Sequence, residues 1–461
     1  MFSFPQFALA ILLFPTVALA DPIHIPLARR SSGNRDINHY ISAAKRLQSK
    51  YNTTWKSYSP RGKRASSESI QTINLFADLI YVARMSIGTP PQSFKVYLDT
   101  GSSDLWVADT LCTHCNSTTP LFDPSRSSSV TSANANTTIR YGSGAVAGII
   151  AQDVVSMGNF TVQNQTFLAV DRLTDGFLLG SASGIMGLAF PAIAATRSTP
   201  FWRALGSQLA APEMAFYLTR FNDDPSAQEE EPGGVFTLGG VNSTLFTGDI
   251  EYLPMPSGTP TYWLLTMSAI TVQGQSVQIK TGNASLVAID TGTSVIAGPT
   301  ADVNAIWAAV PGSAAVVDQQ GFFSFPCSTS VQVTLSFGGK AWPINVTDIN
   351  LGQISRGSSQ CIGAIIDLSL ATNISSGPGV PSWVVGDTFL KNVYSVFRAD
   401  PPSIGFAQLS SVAGGSGAPN GSISSTTTRA NGSSTTTTDN GSPTTTKGSG
   451  SSNRGSSTKI T

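Results

Sequence analysis

Apolar residues along this chain come in short runs separated by turn-forming clusters, which predicts many brief strands and few helices. Residues 79–85 and the run Phe94-Lys95-Val96-Tyr97-Leu98 read as strands, and Gly88-Thr89-Pro90-Pro91 between them reads as a turn. Leu286-Val287-Ala288-Ile289 is another run of buried-strand character. Similar short segments continue to about residue 410, and helical periodicity is weak throughout. Residues 223–234 are acidic and contain Pro and Gly, so they are expected to form a surface loop near the join of two halves. A chain of 461 residues exceeds one ordinary core, and two lobes with accessory segments are expected.

The two ends have different compositions from the body. Residues 1–20 hold an apolar stretch from Phe7 to Val17 and close on Ala18-Leu19-Ala20, a small-x-small pattern that predicts a secretory signal peptide. The stretch is short for a membrane span, and no other segment approaches the required length. Residues 21–64 carry ten Lys and Arg against two Asp, whereas residues 65–410 carry thirteen basic against twenty-four acidic residues. A basic segment ahead of an acidic body, with Lys63-Arg64 at the junction, predicts a pro-segment held by charge and released by dibasic cleavage. A solvated N-terminal arm is the alternative. The acidic body argues against a nucleic-acid partner. In residues 411–461, 25 of 51 positions are Ser or Thr, so this tail cannot bury a core and is expected to be disordered or O-glycosylated, as a flexible end or a wall-facing stalk. The tail's terminus is not hydrophobic, and no lipid-anchor signal is expected. The expected organisation is a signal peptide over 1–20, a pro-segment over 21–64, an N-terminal lobe over 65–245, a C-terminal lobe over 246–410 and the tail over 411–461. Sequons at Asn52, Asn116, Asn136, Asn159, Asn164, Asn242, Asn283, Asn345 and Asn373, with further Asn-Gly-Ser triplets in the tail, make glycosylation of some sites expected in a secreted chain.

Four cysteines allow three pairings. In an oxidising compartment Cys112 with Cys115 and Cys327 with Cys361 are favoured, because each pair lies within one expected lobe. A redox or metal reading of Cys112-Thr113-His114-Cys115 is disfavoured, since no four-ligand zinc set is completed nearby and no βαβ pattern surrounds it. Of three histidines, His24 and His39 fall in the expected pro-segment, which leaves His114 as the sole imidazole for a Ser-His-Asp or Cys-His arrangement. No H-E-x-x-H motif is present. The chemistry must rest on carboxylates, and no metal or cofactor is expected.

Asp-Thr-Gly occurs twice, at Asp99-Thr100-Gly101 and Asp290-Thr291-Gly292, each time directly after an apolar run. A carboxylate behind apolar residues is costly unless paired and hydrogen-bonded, so each site is expected to be the other's partner, with one proton shared between them. Asp99 to Ser103 followed by Leu105-Trp106-Val107, and Ile289 to Ser294, resemble the two active-site signatures of the pepsin-like aspartic proteases. The resemblance extends over roughly residues 75–408. It includes Tyr141-Gly142-Ser143-Gly144, similar to the family's flap tip and 42 residues after Asp99, and the segments Ile185-Met186-Gly187-Leu188 and Val384-Val385-Gly386-Asp387 downstream of each aspartate.

The resemblance implies an all-β, bilobal, pepsin-like double β-barrel with the active-site cleft between two related lobes. It implies Asp99 and Asp290 as the catalytic pair, Thr100 and Thr291 bracing the two loops, and Trp106 supporting Tyr141 on the flap. Gly101 and Gly292 would let the backbone approach the pair, and Ser102 and Thr293 would bond the outer carboxylate oxygens, with Ser294 completing the second signature. A C-lobe disulfide between Cys327 and Cys361 also suits the family, whereas the Cys112 to Cys115 loop is tighter than in pepsin. The expected activity is acid endoproteolysis of polypeptides by a secreted, monomeric zymogen inhibited by its own pro-segment and by pepstatin-type inhibitors. A catalytically silent wall glycoprotein is the rival reading, disfavoured because Asp99, Asp290, Ser102, Thr293 and Tyr141 are all present.

Overall fold

The computed structural model describes residues 66–415 apart from 142–143 and 373–379, together with Ile37, Tyr40, Ile41 and Ala44. The expected signal peptide, the Lys63-Arg64 junction and nearly all of the tail lie outside the described residues.

Strands dominate. The largest sheet has thirteen: β1 (Glu68–Leu75), β2 (Ile80–Ile87), β3 (Gln92–Asp99), β4 (Leu105–Thr113), β5 (Thr131–Tyr141), β6 (Gly144–Met157), β7 (Phe160–Leu173), β8 (Gly184–Gly187), β9 (Glu213–Leu218), β10 (Glu230–Leu238), β11 (Phe246–Pro254), Tyr394–Ala399 and Pro402–Leu409. The last two join N- and C-terminal parts of the chain, because Tyr394–Ala399 pairs with β9 in the register Phe216↔Ser395 and Pro402–Leu409 pairs with β11. All six residues of β9 are buried, the apolar residues 214–218 together with Glu213, whose carboxylate is paired with Arg398 Nε at 2.9 Å.

The C-terminal half builds a five-stranded sheet from Leu264–Thr266, Leu286–Ile289, Trp383–Val385, Ile296–Gly298 and Ile365–Asp367, and two four-stranded sheets. The two halves repeat one local plan. β3, which ends on Asp99, runs parallel to β8 with Asp99 opposite Gly187, and Leu286–Ile289, which leads into Asp290, runs parallel to Trp383–Val385 with Ile289 opposite Val385. A glycine follows for a steric reason in both. A methyl group on Gly187 would lie 2.4 Å from the Ser103 carbonyl carbon, and one on Gly386 would lie 1.9 Å from the Thr293 carbonyl oxygen. The fold is the bilobal all-β one.

The loop expected over 223–234 is shorter than its composition predicts. Residues 230–234 belong to β10, where Glu230 and Glu231 pair with Leu75 and Asn74 of β1. Lys95 Nζ lies 2.6 Å from Glu230 Oε1 and offsets its charge, so a long-range partner overrides local loop propensity. The longest described helix, Thr300–Ala308, has nine residues. Among the described residues no helix is long and apolar enough to cross a membrane. Both disulfides form, Cys112 with Cys115 and Cys327 with Cys361.

Two buried clusters tie the halves together. Phe190 and Trp202 pack against Trp263, with centroids 4.4 and 5.8 Å away, and Trp263 donates its indole N–H to the Leu188 carbonyl. Elsewhere Lys391 bridges Asp78 at 2.9 Å and Asp348 at 2.7 Å, and Arg220 reaches Asp348 at 2.6 Å.

Candidate active site

β3 and Leu286–Ile289 each deliver a carboxylate to the meeting of the halves, and Asp99 and Asp290 are 1% and 0% exposed. The two loops make the same contacts. Asp99 Oδ1 accepts the Gly101 N–H at 2.9 Å and Oδ2 accepts the Ser102 hydroxyl at 2.6 Å. Asp290 Oδ1 accepts the Gly292 N–H at 2.9 Å and Oδ2 accepts the Thr293 hydroxyl at 2.7 Å. Bonds to an ionised carboxylate are among the stronger ones, and two at each aspartate offset much of the cost of burial.

The threonines cross between loops. The Thr100 N–H donates to Thr291 Oγ1 at 3.1 Å and the Thr291 N–H donates to Thr100 Oγ1 at 2.9 Å. Their hydroxyls then donate to the Ile289 and Leu98 carbonyls on the opposite strands. This lattice fixes one loop against the other without using either carboxylate. A methyl group on Gly101 would lie 2.5 Å from Asp290 Cγ and Oδ2, so the second carboxylate sits directly against the first loop. Ser294 is turned away from the pair, and its hydroxyl donates to the Leu79 carbonyl in the other half.

Tyr141 ends β5, with Gly144 as its register partner across the hairpin to β6; Gly142 and Ser143 lie outside the described residues. The Trp106 indole N–H donates to the Tyr141 hydroxyl at 2.8 Å. Burial first, and then the charges of Asp104 and Asp99, push the Tyr141 phenol well above its ordinary range, which keeps it neutral.

Three partners of this region carry no legible motif. Phe177 packs on Tyr141 and Trp106 with centroids 5.1 and 5.9 Å away. Thr174 holds the base of the hairpin, its N–H donating to the Ala145 carbonyl and its hydroxyl accepting the Ala145 N–H. Asp104, buried five residues past Asp99, accepts the N–H groups of Ala195 and Thr196 at 2.8 and 2.9 Å and the Thr196 hydroxyl. Burial raises the Asp104 pKa despite these bonds.

The Cys112 to Cys115 loop braces the same region from outside. His114 Nδ1 lies 2.6 Å from Asp175 Oδ1, and Asn116 Nδ2 donates to the Leu178 carbonyl. Among the described residues no group of three or more His, Cys, Asp or Glu gathers at metal-binding distance.

The sequence profile of the eukaryotic aspartyl protease family matches residues 80–409. The chain is 39% identical over 364 residues to the Major aspartyl peptidase 1 of Cryptococcus neoformans var. grubii, covering 76% of this chain and 73% of that protein. It is 33% identical over 356 residues to the Aspartic protease of Phaffia rhodozyma, covering 75% of this chain and 80% of that one. It is also 33% identical over 339 residues to Cathepsin D of Gallus gallus, covering 72% of this chain and 81% of that one.

Proposed function

This chain belongs to the eukaryotic aspartyl protease family and is an aspartic-type endopeptidase, and on that premise we propose that it is a secreted zymogen whose chemistry rests on Asp99 and Asp290. The observation that carries the reading is the matched bonding of the two carboxylates, each held by its own glycine N–H and its own hydroxyl while Thr100 and Thr291 lock the loops.

Two carboxylates this constrained do not both ionise readily, so at acid pH the pair holds one proton. The proton belongs to the pair and to neither residue alone. The ionised member takes a proton from a water held between the loops while the protonated member donates to the scissile carbonyl oxygen. The water oxygen adds to the carbonyl carbon and forms a tetrahedral diol. Return of a proton to the amide nitrogen then lets the C–N bond break, with no acyl-enzyme. Tyr141, kept neutral and anchored by Trp106, closes over an extended polypeptide and excludes bulk water.

Latency is supported by the described residues of the 21–64 segment. Ile37, Tyr40, Ile41 and Ala44 follow the i, i+3, i+4, i+7 spacing of one helix face. Tyr40 and Ala44 are buried in the apolar cluster that holds Tyr141, Trp106 and Phe177, and Ile37 and Ile41 pack against it. The segment is basic and the body acidic, and protonation of carboxylates at low pH weakens their attraction before cleavage at Lys63-Arg64. The processed enzyme acts as a monomer outside the cell or in the wall.

The test is proteolysis of a denatured protein from pH 2 to 7 by the processed chain, by Asp99→Asn and by Asp290→Asn, with and without a pepstatin-type inhibitor. Acid activity that the inhibitor blocks and either substitution abolishes is the expected result. Activity surviving both substitutions places the chemistry elsewhere. Deletion of residues 21–64 is expected to remove latency, and unchanged latency would overturn the zymogen reading.

A further inference from the structure

We infer that Asn136, Asn159 and Asn164 carry N-linked glycans, and that the glycan on Asn136 shields the open edge of the thirteen-stranded sheet. The inference rests on the proposed secretion, because this sugar is attached in the secretory route to Asn-x-Ser/Thr on the protein surface.

The edge is the physical problem. Among the described residues β5 is an end strand of its sheet and pairs only with β6. It is eleven residues long, and residues 131–136 are exposed at every position. An unpaired strand of this length presents a row of N–H and C=O groups that templates pairing with another chain. Proteins usually blunt such an edge with lysine, proline or a bulge. β5 reads Thr-Ser-Ala-Asn-Ala-Asn-Thr-Thr-Ile-Arg-Tyr, with one charge and no proline. A register shift between Ser132 and Asn136, with Asn134 at φ 50°, disrupts its first half. From Asn136, paired with Ile149, to Tyr141, paired with Gly144, the ladder is regular, and among the described residues no strand pairs with its outer side.

The acceptor triplet Asn136-Thr137-Thr138 falls where that regular ladder begins. Asn136, Thr138 and Arg140 are exposed and alternate with buried Ile139 and Tyr141. A glycan on Asn136 therefore projects from the face opposite Tyr141 and stands beside the open edge without entering the site.

The other two acceptors are presented by backbone irregularities. Asn159 is exposed in the tight turn between β6 and β7, where Met157 pairs with Phe160. In β7, Val162 pairs with Val155 and Gln165 with Asp153, so Gln163 and Asn164 form an outward bulge against a single residue of β6, and both are exposed.

Asn242 is the internal contrast. It is buried, its Nδ2 donates to Ser69 Oγ at 3.3 Å, and its Oδ1 accepts from the Thr244 N–H and hydroxyl. A glycan there would displace a bonded network, so this acceptor is expected to stay bare. Asn52, Asn373 and the triplets of the tail lie outside the described residues.

The experiment uses full-length protein recovered from the medium of a secreting eukaryotic host. Deglycosylation by an amidase in oxygen-18 water turns each glycan-bearing Asn into labelled Asp, which peptide mass spectrometry locates. Label at Asn136, Asn159 and Asn164 and none at Asn242 is expected. Recovery from the medium without label at these three, or with label at Asn242, overturns the assignment while leaving secretion standing. Failure to reach the medium removes the secretion reading and this inference with it.

Light scattering across a concentration series reads the shielding. Asn136→Gln and Thr138→Ala both delete the acceptor and are expected to associate toward twice the monomer mass. Asn136→Lys, which puts a charge on the edge without sugar, is expected to stay monomeric, and all three should cleave a short peptide as the parent does. A monomeric Asn136→Gln throughout the series overturns the shielding role.

Discussion

At the scale of single residues, the outer oxygens of the pair are the places where one atom matters most. Ser102 and Thr293 each give a short bond to Oδ2 of their own aspartate. A hydrogen bond to a charged group is worth about 1.5–3 kcal/mol, so Ser102→Ala or Thr293→Ala is expected to lower kcat by roughly ten- to a hundredfold. The acid limb of the pH–rate profile should move upward as the ionised form loses a donor. Steady-state kinetics from pH 2 to 7 measures both. Gly101→Ala is a harsher change, because the added methyl group meets the Asp290 carboxylate at 2.5 Å, and near-complete loss of turnover in a folded protein is expected. These positions were legible in the chain because the motif itself spells carboxylate, hydroxyl and glycine in sequence. Phe177, Thr174 and Asp104 were not, because their partners are brought to them by strands far away in the sequence.

At the scale of elements, the β5–β6 hairpin and the 174–178 loop behave as one piece. Thr174 bonds Ala145 in both directions and Phe177 supports Tyr141 from below. Truncating a buried phenylalanine costs about 3–5 kcal/mol, and Phe177→Ala is expected to lower stability by that amount and raise KM, as denaturant unfolding and peptide kinetics would report. Trp106→Phe deletes the donor to Tyr141 and leaves a smaller ring at a fully buried site, so a loss of about 1 kcal/mol in kcat/KM is expected together with a loss of stability smaller than that of Phe177→Ala. The disulfides differ in consequence. Cys327 to Cys361 closes a long loop, worth about 4 kcal/mol in the chain-entropy account, whereas Cys112 to Cys115 spans three residues and restrains the unfolded chain far less. Paired Ser substitutions in each, followed by unfolding, should rank in that order. The strands themselves were visible as apolar runs, yet the strand at 230–234 was hidden under acidic residues because Lys95 and β1 decide it.

At the scale of the whole molecule, buried charge sets the response to pH. Burial alone would push Asp348 up, but the Lys391 and Arg220 cations outweigh it and hold its pKa below the usual carboxylate range. Lys391, which burial would lower, is instead raised to about 12 by Asp348 and Asp78. The Asp348 contribution is therefore present above its unfolded pKa and is lost only as pH falls through the depressed folded value, so the cluster persists well into the acid range. Asp348→Asn strips this charge from between two buried cations and is expected to cost about 3–5 kcal/mol at neutral pH. Asp104 and Asp302 have the opposite sign. Burial raises both, so their contribution is full below the unfolded value and is lost as pH rises through the folded one. Stability measured between pH 3.5 and 7 should fall more gently in Asp104→Asn than in the parent, whatever the absolute values. The sequence by itself determined the strand-rich class, the twin Asp-Thr-Gly motifs and the charge contrast between segment and body, since each is written in neighbouring residues. Only the tertiary structure decided what the single motifs could not. It set Asp290 against Gly101, Thr100 against Thr291, Lys391 between two aspartates and Asn136 on an edge strand, because contacts such as Thr100 with Thr291, 191 residues apart, and Lys391 with Asp78, 313 apart, and the order of strands in a sheet, are fixed only once the chain is folded, and no local pattern encodes a distant partner.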